Sequence, residues 1–417
     1  MLTPNFSKMN WPLSSDSFSF WDRLKIAAFI LNKKNQWTQG ALVKKYEQEW
    51  SKYTRCPYVV MTASGSASNE LIALYAKHQL QKSGQWPHKN KVIFPANTWI
   101  SSVSVWLNLG FEPVFVDLDK ENLCADVGLI EEKLKRRNDI SYVFYTTLLG
   151  FSGNLIGLKK LCETYGAKLA LDNCESSFSS FDWYSESNFH FCNFVTASTS
   201  LYFSHLTTTG SESGLIFCQN KDEYAFYLMA RSHGMTRTLD AYSDILGESY
   251  ISHYKNKDVE PKFDFNVLGS NYRSSDYLAF PGLIDFAKRD KYMIKRKFLY
   301  DWFNRGLWES GEFHLLEQTW GTVPFVLPII LKDENPLLMT KIKAYLRENS
   351  IEYRQIIGGH LLYQTAFKKY LSNESHPVSK HIHANGIYIG LNTRLNKDIV
   401  ERWARDLSDL AILCPKL

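Results

Sequence analysis

Tyr58-Val59-Val60-Met61, then Ser64-Gly65-Ser66-Ala67-Ser68-Asn69, then a helical stretch over 68–80, set a β-rich run, a small-residue turn and a helix in immediate succession. The alternation continues beyond this unit. Residues 91–94, 113–117, 142–146, 168–171, 193–196 and 214–218 read as further strands, most of them nearly continuous in apolar character. Strands covered on both faces have this composition. Helical stretches over 101–109, 127–137 and 158–165 lie between several of them. The pattern predicts an α/β layered domain with a mostly parallel sheet flanked by helices.

Further along, 222–232 reads as a helix and 238–264 as a polar, Tyr-rich loop. Residues 281–308 look like one long helix with Pro281 in its first turn, where proline costs no hydrogen bond. Residues 323–331, 336–349 and 382–391 then suggest strand, helix and strand of a smaller α+β unit. A chain of 417 residues has room for two domains. The expected division is an N-terminal segment 1–45, a large α/β domain 46–280 and a small C-terminal domain 281–417.

Forty-eight basic and 43 acidic residues leave a formal charge of +5, too mild to argue for nucleic acid. The densest basic group, Lys133 to Arg137, follows Glu131 and Glu132 and reads as a solvated helix face. Seven cysteines stand far apart without C-x-x-C spacing, which disfavours zinc; their odd number disfavours a disulfide framework. A reducing compartment is the simpler reading. The apolar stretch 26–31 is shorter than a secretory signal core. Residues 323–331, interrupted by Pro324 and Pro328, fall far below membrane-spanning length. The expectation is a cytoplasmic protein with no membrane partner.

Three constellations carry chemistry. The turn at 64–69 either caps the helix that follows or cradles an anion with its N–H groups and the helix dipole. Asp172 closes the 168–171 strand and precedes Asn173-Cys174-Glu175. Carboxyl ends of parallel strands hold ligands in α/β proteins, and an aspartate there can keep a ring nitrogen protonated; the alternative is a turn cap. His205 follows Ser200-Leu201-Tyr202-Phe203-Ser204 and precedes Thr207-Thr208-Thr209-Gly210. It is either a structural histidine or a proton carrier among hydroxyls.

Taken in order, these features resemble the DegT/DnrJ/EryC1/StrS family, sugar aminotransferases and dehydratases with the PLP-dependent aspartate aminotransferase (type I) fold. The resemblance covers about 35–395. Gln36-Trp37-Thr38-Gln39-Gly40, Pro95-Ala96-Asn97-Thr98-Trp99, Pro113-Val114-Phe115-Val116-Asp117, Asn271-Tyr272-Arg273 and Ile351-Glu352-Tyr353-Arg354 with Gly358-Gly359-His360 and Gln364 match its segments. The resemblance implies pyridoxal or pyridoxamine 5′-phosphate as cofactor. Gly65, Ser66 and Ser200 would bind its phosphate, Trp99 would stack on its ring, Asp172 would pair with its nitrogen and Glu175 would lie near its 3-hydroxyl. Asn271 would reach the site of a partner subunit in a homodimer. Arg354 and His360 would contact substrate.

The departure is His205, which stands where family aminotransferases carry a lysine. Imidazole cannot form the Schiff base that tethers the cofactor, but it can move a proton. Histidine there is similar to the 3-dehydratases of nucleotide-linked 4-keto-6-deoxyhexoses. One branch of these uses an iron–sulfur cluster, but no cysteine occurs between Cys218 and Cys414, so no metal is expected. The resemblance therefore implies an iron-free 3-dehydratase. His205 would be the acid–base group, oriented by Ser204, and glutamate would restore the cofactor amine. An aminotransferase, a non-catalytic cofactor- or sugar-binding relative and a plain scaffold remain as alternatives.

Overall fold

The computed structural model describes residues 11–15, 17–181, 190–316, 318–319, 321–371, 374–392 and 394–414. Seven strands form one sheet: β1 (Tyr58–Thr62), β2 (Lys91–Pro95), β3 (Glu112–Val116), β4 (Ile140–Thr146), β5 (Lys168–Asp172), β6 (Thr196–Ser200) and β7 (Gly214–Cys218). Their spatial order is β1-β7-β6-β5-β4-β2-β3. Only β7 runs antiparallel to its neighbours β1 and β6. Helices cover both faces, and two apolar clusters fill the layers. One centres on Trp50, Phe178 and Phe286, the other on Trp106, Phe144 and Tyr227.

Two expectations shift. The 193–196 run is instead the 3-10 turn Phe191–Asn193 and its exit, and β6 begins at Thr196. This strand reads Thr-Ala-Ser-Thr-Ser, yet all five residues are buried. Its hydroxyls find partners: Ser198 Oγ donates to Asn69, and Thr199 Oγ1 to the Asn173 carbonyl. A hydrogen-bonded hydroxyl can be buried where a bare apolar count finds no strand. The expected long helix is two helices, Asp276–Phe286 and Arg289–Trp308, with Pro281 inside the first. Asp276 fixes the earlier start, its Oδ1 accepting from Gly40 N and Val43 N.

Beyond Arg289 the chain packs into a second core. The strands β8 (Val326–Ile330), β9 (Tyr353–Gln355) and β10 (Gly386–Gly390) form an antiparallel sheet in the order β8-β10-β9. Helix Arg289–Trp308 lies against helix Lys397–Ile412 at Gly306, where an added Cβ would come within 2.4 Å of Ala404 Cβ.

The first described residue, Trp11, belongs to this second core. Trp11 bridges to Ile351, donates from Nε1 to the Gly390 carbonyl and packs edge-on against Trp403. From there the chain runs to the loop bearing His205. Ser14 Oγ lies 2.9 Å from Ser204 Oγ, and Ser17 donates to Asp285, whose carboxylate also accepts from Thr207 Oγ1 and Thr208 N. The basic 133–137 group lies in helix Val127–Arg136 and just past it, with Glu131–Lys135 and Glu132–Arg136 pairs one turn apart. Among the described residues no helix is long and apolar enough to cross a membrane.

Candidate active site

The carboxyl ends of the parallel strands build the site. Ser64 caps helix Gly65–Lys82, its Oγ accepting from Ala67 N at 3.1 Å, while Ser68 N donates to Ser64 O. The first-turn N–H groups of Gly65 and Ser66 have no intrahelical acceptor and suit an anion. Gly65 is required by packing. A Cβ there would lie 2.8 Å from Ser200 Cβ and 3.1 Å from Cys174 Sγ. Ser66 Oγ reaches Ser101 Oγ at 2.9 Å. Trp99, at the N-cap of helix Ile100–Asn108, is 57% exposed, a large ring left uncovered at the mouth of this cradle.

Asp172 is 3% exposed and held from several sides. Its Oδ2 accepts from Asn69 Nδ2 at 2.9 Å and Ser102 Oγ at 2.5 Å, and its Oδ1 from Cys174 N at 3.2 Å. Ser198 Oγ donates to Asn69 Oδ1, which turns the Asn69 amide so that its NH2 faces the carboxylate. Glu175 accepts from Leu149 N, and burial pushes its carboxyl up to about 8.

His205 Nδ1 lies 3.0 Å from the Cys174 carbonyl. A carbonyl only accepts, so Nδ1 carries the proton and the neutral ring presents a lone pair at Nε2. The ring stacks on Phe325 with centroids 5.4 Å apart, and burial lowers its pKa to about 4. The imidazole is therefore neutral at neutral pH, with Nε2 ready to take a proton. No lysine occurs from Thr196 to Ser213.

Gly65, Ser66, Ser200, Asp172, Glu175 and His205 are thus linked through direct contacts and short neighbour chains. Ser204 meets Ser14 by its hydroxyl. Arg354 lines a pocket that also takes in Ser204 and His205 but none of Gly65, Trp99 or Asp172. His360 is fully buried elsewhere, stacked on Tyr363 and beside His376. Asn271 is exposed in a bridge to Ser232, its Oδ1 accepting from Arg273 Nε. No group of three or more His, Cys, Asp or Glu among the described residues has the arrangement of a metal site.

Sequence reasoning left Asn69, Ser102, Ser198 and Phe325 without a role. Asn69 sits inside the quoted small-residue turn, and its position one turn into the helix was the available signal. Phe325 comes from a distant segment and had none. Asn97 is fully buried at the end of β2, and neither of its amide atoms has a partner among the described residues. Unsatisfied groups beside a cradle suit a polar guest. The Asp172 carboxyl, the helix N-terminus and the space kept by Gly65 together fit a phosphorylated pyridine cofactor.

Residues 25–408 match the DegT/DnrJ/EryC1/StrS aminotransferase family. GDP-4-keto-6-deoxy-D-mannose 3-dehydratase of Yersinia pseudotuberculosis is 25% identical over 390 residues, 92% of this chain and 94% of that protein. An E. coli GDP-4-keto-6-deoxy-D-mannose-3-dehydratase solved with bound hydrated PLP shares the fold at a TM-score of 0.82 and 24% identity, covering 96% of this chain and 100% of that one. A GDP-4-keto-6-deoxymannose-3-dehydratase structure with a trapped PLP–glutamate adduct gives 0.81 at 23% identity, over 95% and 100%. The architecture is the type I aminotransferase fold, and the chain belongs to the DegT/DnrJ/EryC1/StrS aminotransferase family.

Proposed function

We propose that the protein is an iron-free, PLP/PMP-dependent 3-dehydratase that removes the C3 hydroxyl of a nucleotide-linked 4-keto-6-deoxy sugar, in deoxysugar synthesis for surface polysaccharide. The carrying observation is His205. It is a neutral imidazole with Nδ1–H fixed by the Cys174 carbonyl and Nε2 open, in a loop without lysine. Such a group moves protons but cannot transfer nitrogen through a covalent tether.

When bound, the cofactor supplies an amine for the sugar's C4 ketone and a ring that accepts electrons. Gly65, Ser66 and Ser200 would hold its phosphate and Trp99 would cover its ring. Asp172, held in orientation by Asn69 and Ser102, would pair with the ring nitrogen. Glu175, largely protonated near neutral pH, would offer a donor beside the ring hydroxyl. His205 Nε2 would take a proton from the carbon attached to the ring and deliver it to the departing C3 oxygen. Glutamate would restore the amine.

We further take 46–280 as the cofactor-binding domain and 281–417 as the small domain. Exposed Asn271, with exposed Phe263, Phe265 and Leu268 nearby in sequence, is the surface for a second copy in a homodimer. We take the protein to work in the cytoplasm. The names of the relatives favour GDP as the nucleotide. The test is product mass from GDP-, CDP- and dTDP-4-keto-6-deoxy sugars with the cofactor and glutamate. Loss of one oxygen on one substrate is expected; retained oxygen with gained nitrogen returns the protein to the aminotransferases.

A further inference from the structure

Between helix Arg289–Trp308 and β8 the chain crosses the large domain. Gly321 O accepts from Ser180 N at 2.9 Å, Val323 N donates to Ser179 Oγ at 3.0 Å, and Phe325 N donates to the Leu149 carbonyl at 2.9 Å. Leu149 N donates to Glu175, the residue after Cys174, whose carbonyl holds His205 Nδ1. The Phe325 ring closes this circuit by stacking on the His205 imidazole, the two planes 15° apart, while Tyr202 meets the same imidazole edge-on. Behind Phe325 stands Arg296, on helix Arg289–Trp308. Its Nη1 donates to the Phe325 carbonyl at 2.8 Å and to the Pro324 carbonyl at 3.4 Å, and its Nε is buried without a partner among the described residues. Asp285, whose charge Arg296 feels, already accepts from Ser17, Thr207 and Thr208. Burial lowers the Arg296 pKa to about 10. A desolvated cation is costly to keep. Here its bonds end on the carbonyls of the segment that bears the stacking ring.

We propose that Phe325 and Arg296 are positioning residues for the base: Arg296 pins the Phe325 backbone, and the Phe325 ring sets the plane of the His205 imidazole and the direction of Nε2. This rests on the dehydratase reading for what the base does. The Cys174 carbonyl fixes one point of the imidazole and leaves it free to swing about that hydrogen bond. A flat ring held against its face removes the swing. Proton transfer needs that precision, because a reacting group displaced by about 1 Å can cost 10²-fold in rate. The Phe325 face also covers the imidazole. The Asp172 carboxyl favours a proton on the ring, and burial outweighs it. The acid–base group of the large domain is thus aligned by a helix and a crossing segment of the second core.

The experiment joins a histidine NMR titration to steady-state kinetics, both on the holoenzyme. Carbon-13 labelling marks the histidine rings, and the spectrum of His205→Asn identifies the His205 signal. Phe325→Leu keeps an apolar side chain of similar bulk but loses the flat face. It is expected to raise the His205 pKa by about one, as water reaches the ring. It should also lower kcat by about 10- to 100-fold and leave the sugar KM within about threefold. Phe325→Tyr, which keeps the face, should restore both. Arg296→Met should lower kcat about tenfold. Arg296→Lys keeps the charge but not the fork and should recover part of the loss. If Arg296→Met fails to fold, the Phe325 pair carries the test alone. An unmoved His205 titration in Phe325→Leu overturns the proposal. So does a raised KM with kcat kept, which would make Phe325 a wall of the sugar pocket and nothing more. The NMR measurement needs no turnover. A His205 signal that moves with Phe325 in an enzyme that leaves the C3 oxygen in place would end the dehydratase reading and keep the clamp.

Discussion

Half-buried His205 and fully buried His360 both stack on an aromatic ring and are pushed down to about 4, yet they are opposite in chemistry. His205 Nδ1 faces a carbonyl and must donate, so Nε2 holds a lone pair. His360 Nδ1 accepts from Leu362 N, so its proton lies on Nε2, which is buried with no partner among the described residues. His360 also has His376 at 5.2 Å between ring centroids, and His383 accepts from its backbone N–H. Burial and a depressed pKa therefore do not by themselves make a base. The partner of the second nitrogen decides the tautomer, and the tautomer decides whether the ring can take a proton.

The comparison breaks most sharply by mutation. His205→Asn is expected to cut C3 deoxygenation by 10²–10⁴-fold, the range for losing a general acid–base group. His360→Leu should leave turnover within about threefold, because it removes an orphaned donor from a dry cluster. Product formation under saturating sugar and glutamate checks both. Equal losses would mean that the tautomer argument fails.

Next comes the aspartate that His205 would depend on. Asn69→Leu removes one donor from the Asp172 carboxylate and leaves Ser198 without its acceptor. A drop of about tenfold in kcat is expected, with cofactor affinity weakened in step, because the carboxylate is no longer held in one orientation. Cofactor titration of a variant whose melting curve is unchanged separates this from simple loss of structure. Asn69→Asp, which sets a second carboxylate against the first, should weaken the cofactor further.

The smallest effect is on stability against pH. His190, His205 and His360 all have folded values of about 4 against 6.5 in the unfolded chain. A depressed histidine contributes stability above the unfolded value, lost as pH falls through the folded one. Thermal midpoints should therefore decline between pH 6.5 and 4, and His360→Leu should flatten part of that decline. Glu175 acts with the opposite sign. Its folded value of about 8 lies above 4.5, so its contribution is complete below 4.5 and lost as pH rises through 8. Glu175→Gln should remove that alkaline slope. Melting curves from pH 4 to 9 read both.

The fold was legible because its signals are local. A small-residue turn between a β-run and a helix, repeated with variations, reports strand burial on both faces within a few residues. β7 was bounded to the residue, at Gly214–Cys218. Where the reading slipped, the deciding contacts were distant: the helix read as starting at Pro281 begins at Asp276, because Asp276 holds Gly40 and Val43. Strand β6 was missed at its true start because its buried hydroxyls are satisfied by residues far away in sequence.

The amino-acid sequence by itself determined which chemistry is present: a strand-end aspartate, a phosphate-sized turn and an imidazole in a loop without lysine. Residue identity and short-range spacing suffice for that. Only the tertiary structure decided which nitrogen of His205 is the base, because the Cys174 carbonyl that settles it lies 31 residues away. It also decided that Asn69, 103 residues from Asp172, orients that carboxylate, and that the N-terminal segment lines a pocket beside the histidine. Hydrogen-bond direction and charge pairing depend on distances in space, which the order of residues along a chain does not contain.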